Sequence, residues 1–238
     1  MGKKTIGILG GMGPEASADC YAKIIKCTPA AKDQDHLRIV IESNPTVPDR
    51  TEAILAGGES PVPVMLKGCR VLEKAGVDFI IIVCNTAHYF LDRLEPELSI
   101  PILSILDVVA EAVKQAGLKK VGLLATQGTI DAEIYQSKLF DYGIETLVPD
   151  KEHEELVMAA IRSIKAAPTA EQRKEATMRL KDAAKYLLKQ GAQGIIGGCT
   201  EIPLALTQKD LDVLFFDSQL LLARAAVVRA GLTPLDHT

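Results

Sequence analysis

Short runs of β-branched and other apolar residues alternate with longer stretches in which apolar positions recur every three or four residues, almost from one end of the chain to the other. The short runs have the composition of buried strands. The longer ones have the period of amphipathic helices, as at Val64, Leu66, Cys69, Val71 and Leu72 or at Leu180, Ala183, Ala184, Leu187 and Leu188. The pattern predicts eight strands, at Thr5–Leu9, Arg38–Glu42, Phe79–Val83, Ile102–Ile105, Val121–Leu124, Glu145–Val148, Gly194–Ile196 and Val213–Phe216, each flanked by Gly, Pro, Asp or Ser. Strands and helices that alternate in this way form mostly parallel sheets covered by helices, so the expected class is α/β. No linker or low-complexity segment divides the elements.

The chain also repeats itself. Ile6-Gly7-Ile8-Leu9 followed by Gly13 matches Val121-Gly122-Leu123-Leu124 followed by Gly128, 115 residues on, and Gly76, Ile80, Ile81 and Cys84 fall on Gly191, Ile195, Ile196 and Cys199 at the same offset. Each half closes on Ala-Gly-Leu, at Ala116–Leu118 and Ala230–Leu232. The repeat predicts two pseudo-symmetric four-stranded, mostly parallel sheets flanked by helices, with an active site between the halves. Cys84 and Cys199 then occupy the same point of each half, the carboxyl end of a buried strand, where open α/β sheets place their ligands. Two thiols facing one cleft suit a reaction that removes a proton from one face of a carbon and returns it to the other. The plain alternative is that both are small buried core residues, the commonest fate of a free cysteine.

Composition narrows the field. Of 238 residues, 47% are hydrophobic and 24% charged, which excludes disordered, collagen-like and disulfide-scaffold classes. Lys and Arg number 27 against 31 Asp and Glu, for a formal charge of −4, with 4% aromatic residues and no basic run, so nucleic acid is not an expected partner. No apolar run exceeds six residues, as at Phe79–Cys84, far below the roughly 18 of a membrane span. Lys3 and Lys4 ahead of Thr5–Leu9 mimic the start of a signal peptide, but Gly10, Gly11, Gly13 and Pro14 interrupt it. Five cysteines, an odd number with no C-x-x-C pair and no clustered histidine, read as reduced thiols of a cytoplasmic protein and not as a zinc site.

Both cysteines precede small polar residues, in Cys84-Asn85-Thr86-Ala87-His88 and Cys199-Thr200-Glu201-Ile202-Pro203. A strand-to-helix turn offers free backbone N–H groups that hold a carboxylate. Asn85, Thr86 and Thr200 add side-chain donors, or cap the helices that follow. These segments, with Ile82-Val83 and Ile195-Ile196-Gly197-Gly198 ahead of them, resemble the two signature segments of the aspartate/glutamate racemases that work without pyridoxal phosphate. Gly10-Gly11-Met12-Gly13-Pro14-Glu15 and Asn44-Pro45-Thr46-Val47-Pro48-Asp49-Arg50 are similar to the aspartate racemase branch.

The resemblance spans nearly the whole chain. It implies catalytic Cys84 and Cys199 with a substrate site drawn from Met12, Asn44, Thr46, Arg50, Asn85, Thr86, Thr126, Thr129, Lys165, Thr200 and Glu201. It further implies no metal and no organic cofactor, a homodimer, and halves that exchange their closing elements, 1–102 plus 211–238 against 103–210. Arg50 suits a distal carboxylate, since a guanidinium grips it with two parallel hydrogen bonds; its alternative is a solvated arginine in a first helical turn. Lys165 is implied in the cleft, or simply ends a helix ahead of Pro168. His88 is either an acid or base near Cys84 or a structural residue.

Gly11-Met12-Gly13-Pro14-Glu15-Ala16 also fits the G-x-G-x-x-A dinucleotide fingerprint, but Asp33 and Asp35 precede the second strand instead of ending it, and Glu42 lies too far on. The expected function is therefore racemisation of an acidic amino acid, aspartate ahead of glutamate, by two cysteines without a cofactor. Enzymes resembling maleate isomerase or arylmalonate decarboxylase are the nearest alternatives; a non-catalytic nucleotide- or amino-acid-binding protein is the other.

Overall fold

The computed structural model describes residues 2–236. Its first half runs β1 (Ile6–Gly10), α1 (Pro14–Cys27), β2 (Ile39–Ser43), α2 (Arg50–Leu55), α3 (Val62–Lys74), β3 (Phe79–Ile82), α4 (Leu91–Leu94), β4 (Ile102–Leu103) and α5 (Ile105–Gln115). The second half runs β5 (Lys120–Leu124), α6 (Gln127–Asp131), α7 (Ile134–Phe140), β6 (Glu145–Leu147), α8 (Lys151–Lys165), α9 (Ala170–Lys189), β7 (Gly194–Gly197), β8 (Leu214–Asp217) and α10 (Ser218–Arg229). All eight expected strands form, in two four-stranded parallel sheets of order β2-β1-β3-β4 and β6-β5-β7-β8. The two orders are equivalent, as the 115-residue repeat predicts.

Both faces of each sheet are covered, which is why the central strands read as continuous apolar runs without alternation. On the inner faces, Ile6, Ile8, Phe79 and Ile81 of one sheet and Val121, Leu123, Ile196 and Phe216 of the other share a single core with Ile24 of α1, Val109 of α5, Tyr135 of α7 and Ala226 of α10. These helices form a common layer between the sheets. The outer face of the first sheet, through Leu9, Ile80 and Ile82, packs on Met65 and Leu72 of α3. That of the second, through Leu124 and Ile195, packs on Leu180 and Leu187 of α9, with Val157, Ile161 and Ile164 of α8 completing that core.

Two expectations need correction. The strand predicted at Ile102–Ile105 stops at Leu103, because Ser104 is extended and its hydroxyl accepts from Asp107 N (3.3 Å), starting α5 at Ile105. The expected exchange of closing elements applies to a helix and not to a strand. β8 pairs with β7 (Gly194↔Leu214 through Gly197↔Asp217) and so belongs to the second sheet, while α10 packs on α1 of the first half. The boundary placed at 211 therefore falls ahead of β8, and the crossing begins with α10.

Candidate active site

The carboxyl ends of β1, β3, β5 and β7 converge on a cavity of about 190 Å3 lined by residues of both halves. The chain reaches it through a tight turn after β1. Gly11 has φ +90°, and a Cβ there would stand 2.3 Å from the Asn44 carbonyl carbon, so only glycine lets β1 pass the end of β2. Contact between the halves bounds one side of the cavity, α2 lying on α6 so closely that a Cβ on Gly128 would be 2.8 Å from Thr51 Oγ1. Cys84, two residues past β3, and Cys199, two residues past β7, both line this cavity; both are buried and unpaired.

The surroundings of the two thiols differ. Cys199 Sγ donates to Glu201 Oε2 (3.0 Å), and burial first, then the Glu201 charge, push this thiol well above its ordinary range while Lys165 pulls it back. It therefore rests protonated. Glu201 is buried, and its other oxygen accepts from Gly13 N (3.0 Å) and pairs with Lys165 Nζ (3.6 Å). Burial works against the Lys165 charge, but Glu201, Cys199 and Cys84 outweigh it and hold the ammonium above its usual range. Arg50 stands beside Cys84. Its guanidinium is pinned by carbonyls, Nη1 donating to Val47 O and Pro48 O (both 3.1 Å) and Nη2 to Met12 O (3.4 Å), while Nε is buried without a partner. Lys165 Nζ donates to the same Met12 carbonyl (3.2 Å), so two cations from opposite halves meet at one oxygen. Arg50 and Lys165 are themselves 115 residues apart.

Opposite charge is absent from the third group. The hydroxyls of Thr86, Thr126 and Thr129 form a triangle of 2.9, 2.9 and 3.0 Å, with Thr86 contributed by the first half and the others by α6, which Thr126 caps. Three buried hydroxyls and the backbone N–H groups of the adjoining turns are donors suited to an α-carboxylate. Asn85 is buried beside them.

Among known proteins, the model of the Asp/Glu/Hydantoin racemase family matches residues 9–226. The chain belongs to that family. The broad specificity amino-acid racemase RacX of Bacillus subtilis is 30% identical over 226 residues, covering 93% of this chain and 96% of that protein. The structure of the Picrophilus torridus aspartate racemase superposes with a TM-score of 0.87 at 34% identity, covering 98% of this chain and 96% of the other. That of an aspartate racemase homologue from Pyrococcus horikoshii gives 0.76 at 32% identity, covering 95% and 99%. The protein is an amino-acid racemase of this family.

The racemase brings most of its sequence-marked residues together. Met12, Arg50, Cys84, Asn85, Thr86, Thr126, Lys165, Cys199, Thr200 and Glu201 line the cavity, and Thr129 lies just behind it. Asn44 and Thr46 do not reach it: Asn44 Oδ1 accepts from Thr46 N (2.9 Å) and Oγ1 (2.7 Å), an Asx turn that shapes the loop whose carbonyls hold Arg50. Glu201 is placed as an acceptor and so faces Cys199 and Lys165; it offers no donor to a carboxylate. Asp49, Thr51, Glu52, Met158, Ile161 and Arg162 also line the cavity, unforeseen. For three of these a signal existed, because 158, 161, 162 and 165 is one face of a helix through Lys165. The turn that a dinucleotide would need presents its Gly13 N–H to the Glu201 carboxylate, which leaves no place there for a pyrophosphate. Among the described residues, no three His, Cys, Asp or Glu side chains are grouped to hold a metal, and no helix is long and apolar enough to cross a membrane.

His88 is structural. Its Nε2 accepts from Ile105 N (3.1 Å), so Nδ1 carries the proton and donates to Cys84 O (2.8 Å), tying the first cysteine turn to the start of α5. Burial lowers its pKa to about 4. The folded state binds this proton less readily than the unfolded chain, whose histidine titrates near 6.5, so its contribution to stability is intact above about pH 6.5 and is lost as pH falls toward 4. The loss amounts to about 3 kcal/mol at most. Denaturant titrations of the wild type and His88→Gln at pH 7 and pH 4.5 should show a steeper decline for the wild type; parallel declines would mean that His88 charges within the fold.

Proposed function

We propose that this racemase acts on aspartate in preference to glutamate, passing the α-proton between Cys84 and Cys199 without a cofactor. The observation that carries the reading is the meeting of Arg50 and Lys165 at the Met12 carbonyl on the wall of the two-cysteine cavity, with Arg50 Nε buried and unpartnered. Two cations against one neutral carbonyl suit a distal carboxylate, which would take up the free N–H. The threonine hydroxyls and turn amides then receive the α-carboxylate and stabilise the negative charge that develops as the Cα–H bond breaks.

We take Cys199, whose thiol donates to Glu201, as the acid, and Cys84, with the Arg50 guanidinium beside it, as the base. Cys84 takes the α-proton from one face, and Cys199 delivers its own to the opposite face. Turnover leaves the two protonation states exchanged and the enzyme set for the other enantiomer. Aspartate is favoured because the cations are tied to backbone carbonyls and the threonine hydroxyls to one another, which fixes the distance between the two carboxylate sites. An extra methylene must then be accommodated by displacing one end of the substrate, at a cost on the order of tenfold or more in rate.

Proton NMR in deuterium oxide with aspartate, glutamate, alanine and maleate tests the reading. The α-proton signal of aspartate should fade fastest, with both enantiomers in the product. Loss of the maleate vinyl signal with no aspartate exchange would favour an isomerase, and binding of aspartate without exchange would leave a binding protein.

A further inference from the structure

Asn85 follows Cys84 directly, and its amide is held by residues that no sequence motif marks. Tyr135 of α7, fully buried, donates its hydroxyl proton to Asn85 Oδ1 (2.6 Å); Asn85 Nδ2 donates to Ser218 Oγ (3.3 Å); and Ser218 Oγ donates to Gly197 O (2.7 Å). Ser218 is the first residue of α10 and 0% exposed, and Gly197 ends β7, two residues ahead of Cys199. One hydroxyl thus joins the turn that carries the first cysteine to the strand that carries the second.

The direction of this chain is not arbitrary. A carbonyl only accepts, so the Ser218 proton is committed to Gly197, and the lone pairs of Ser218 face the Asn85 amide. If that amide were flipped, its oxygen would confront an oxygen with no proton to give. The Gly197 carbonyl therefore dictates, through Ser218, that Asn85 turns its NH2 inward. Its second N–H has no protein partner among the described residues, and Asn85 lines the cavity. That N–H is free to donate to a carboxylate bound in the cavity, where a flipped amide would present a carbonyl oxygen and repel it.

We infer that Ser218 is a positioning residue for the reaction, fixing the orientation of the Asn85 amide and the relation of the two cysteine turns. The inference rests on the racemase reading above for its effect on turnover, and on geometry alone for its effect on the amide. If Ser218 acts through Asn85, Ser218→Ala should lower kcat/KM for aspartate about tenfold in the wild-type background, the order expected for one lost hydrogen bond to a charged group. In an Asn85→Ala background the same change should alter it less than twofold. An equal loss in both backgrounds, or a loss below twofold in the first, would overturn the assignment.

A second measurement does not depend on activity. The Asn85 side-chain NH2 resonances, assigned by their disappearance in Asn85→Asp, should be resolved and protected from exchange in the wild type. They should lose protection in Ser218→Ala while the melting temperature changes by only a few degrees. Unchanged protection would overturn the assignment even in an active enzyme. If the wild type exchanges no α-proton, the racemase reading falls and amide protection alone decides the role of Ser218.

Discussion

Cys84→Ala and Cys199→Ala should each abolish racemisation in both directions, but each should retain one partial reaction. With Cys84 removed, Cys199 would, on the two-base reading, still face one side of the α-carbon, take a proton from the enantiomer that presents it, and return deuterium to the same face. The outcome is exchange with retention for one enantiomer and none for the other; in Cys199→Ala the enantiomers change places. A missing general base ordinarily costs 10² to 10⁴ in rate, and here the inverted product has no second route. Chiral chromatography and α-proton NMR of the same samples separate the two quantities. Inversion by either variant would end the two-base reading. Cys20 and Cys69 are controls, because neither lines the cavity and burial pushes both thiols up to about 12; their Ala variants should stay within a few-fold of wild-type turnover per folded molecule.

The Arg50 effect should depend on the substrate. Two charge-assisted hydrogen bonds contribute roughly 1.5–3 kcal/mol each, so Arg50→Ala should lower kcat/KM for aspartate by about 10² to 10⁴. Slow α-proton exchange of alanine, which has no distal carboxylate, should change far less. The comparison matters because the same side chain holds Met12, Val47 and Pro48 carbonyls, and disorder in that turn would lower both rates alike. Arg50→Lys restores charge but not the planar fork and should recover part of the loss. Equal losses for the two substrates would assign Arg50 to the scaffold and leave the distal carboxylate to Lys165.

Much of this site was legible because it is built at the ends of buried parallel strands. Such strands are near-continuous apolar runs, and a cysteine closing two of them at one offset stands out. Long-range pairing is another matter. The resemblance places β8 with the first half, whereas the repeat makes it the fourth strand of the second, and its hydrogen bonds to Gly194–Gly197 follow the repeat. Asn44 and Thr46 have the right donors for a binding site, but short polar side chains also satisfy one another locally, and the Asx turn prevailed. Thr126 and Thr129 are a helical turn apart and visible as a pair; their third partner, Thr86, lies 40 residues away from Thr126 in the chain. Ser218 and Tyr135 had no motif at all, because their importance lies in which proton each has left to give.

The layer of helices between the sheets has a consequence for how such a protein can change. Inner-face residues of both sheets, from Ile6 to Phe216, close over the same four helices, so neither repeat possesses a complete interior of its own. A descendant cannot be trimmed to a single half, and grafting one half from a relative would carry every volume mismatch into the middle of the molecule. Variation in substrate choice is therefore freest at α2 and α8, which border the cavity from outside that shared interior, and most constrained at the helices that both halves must accept together.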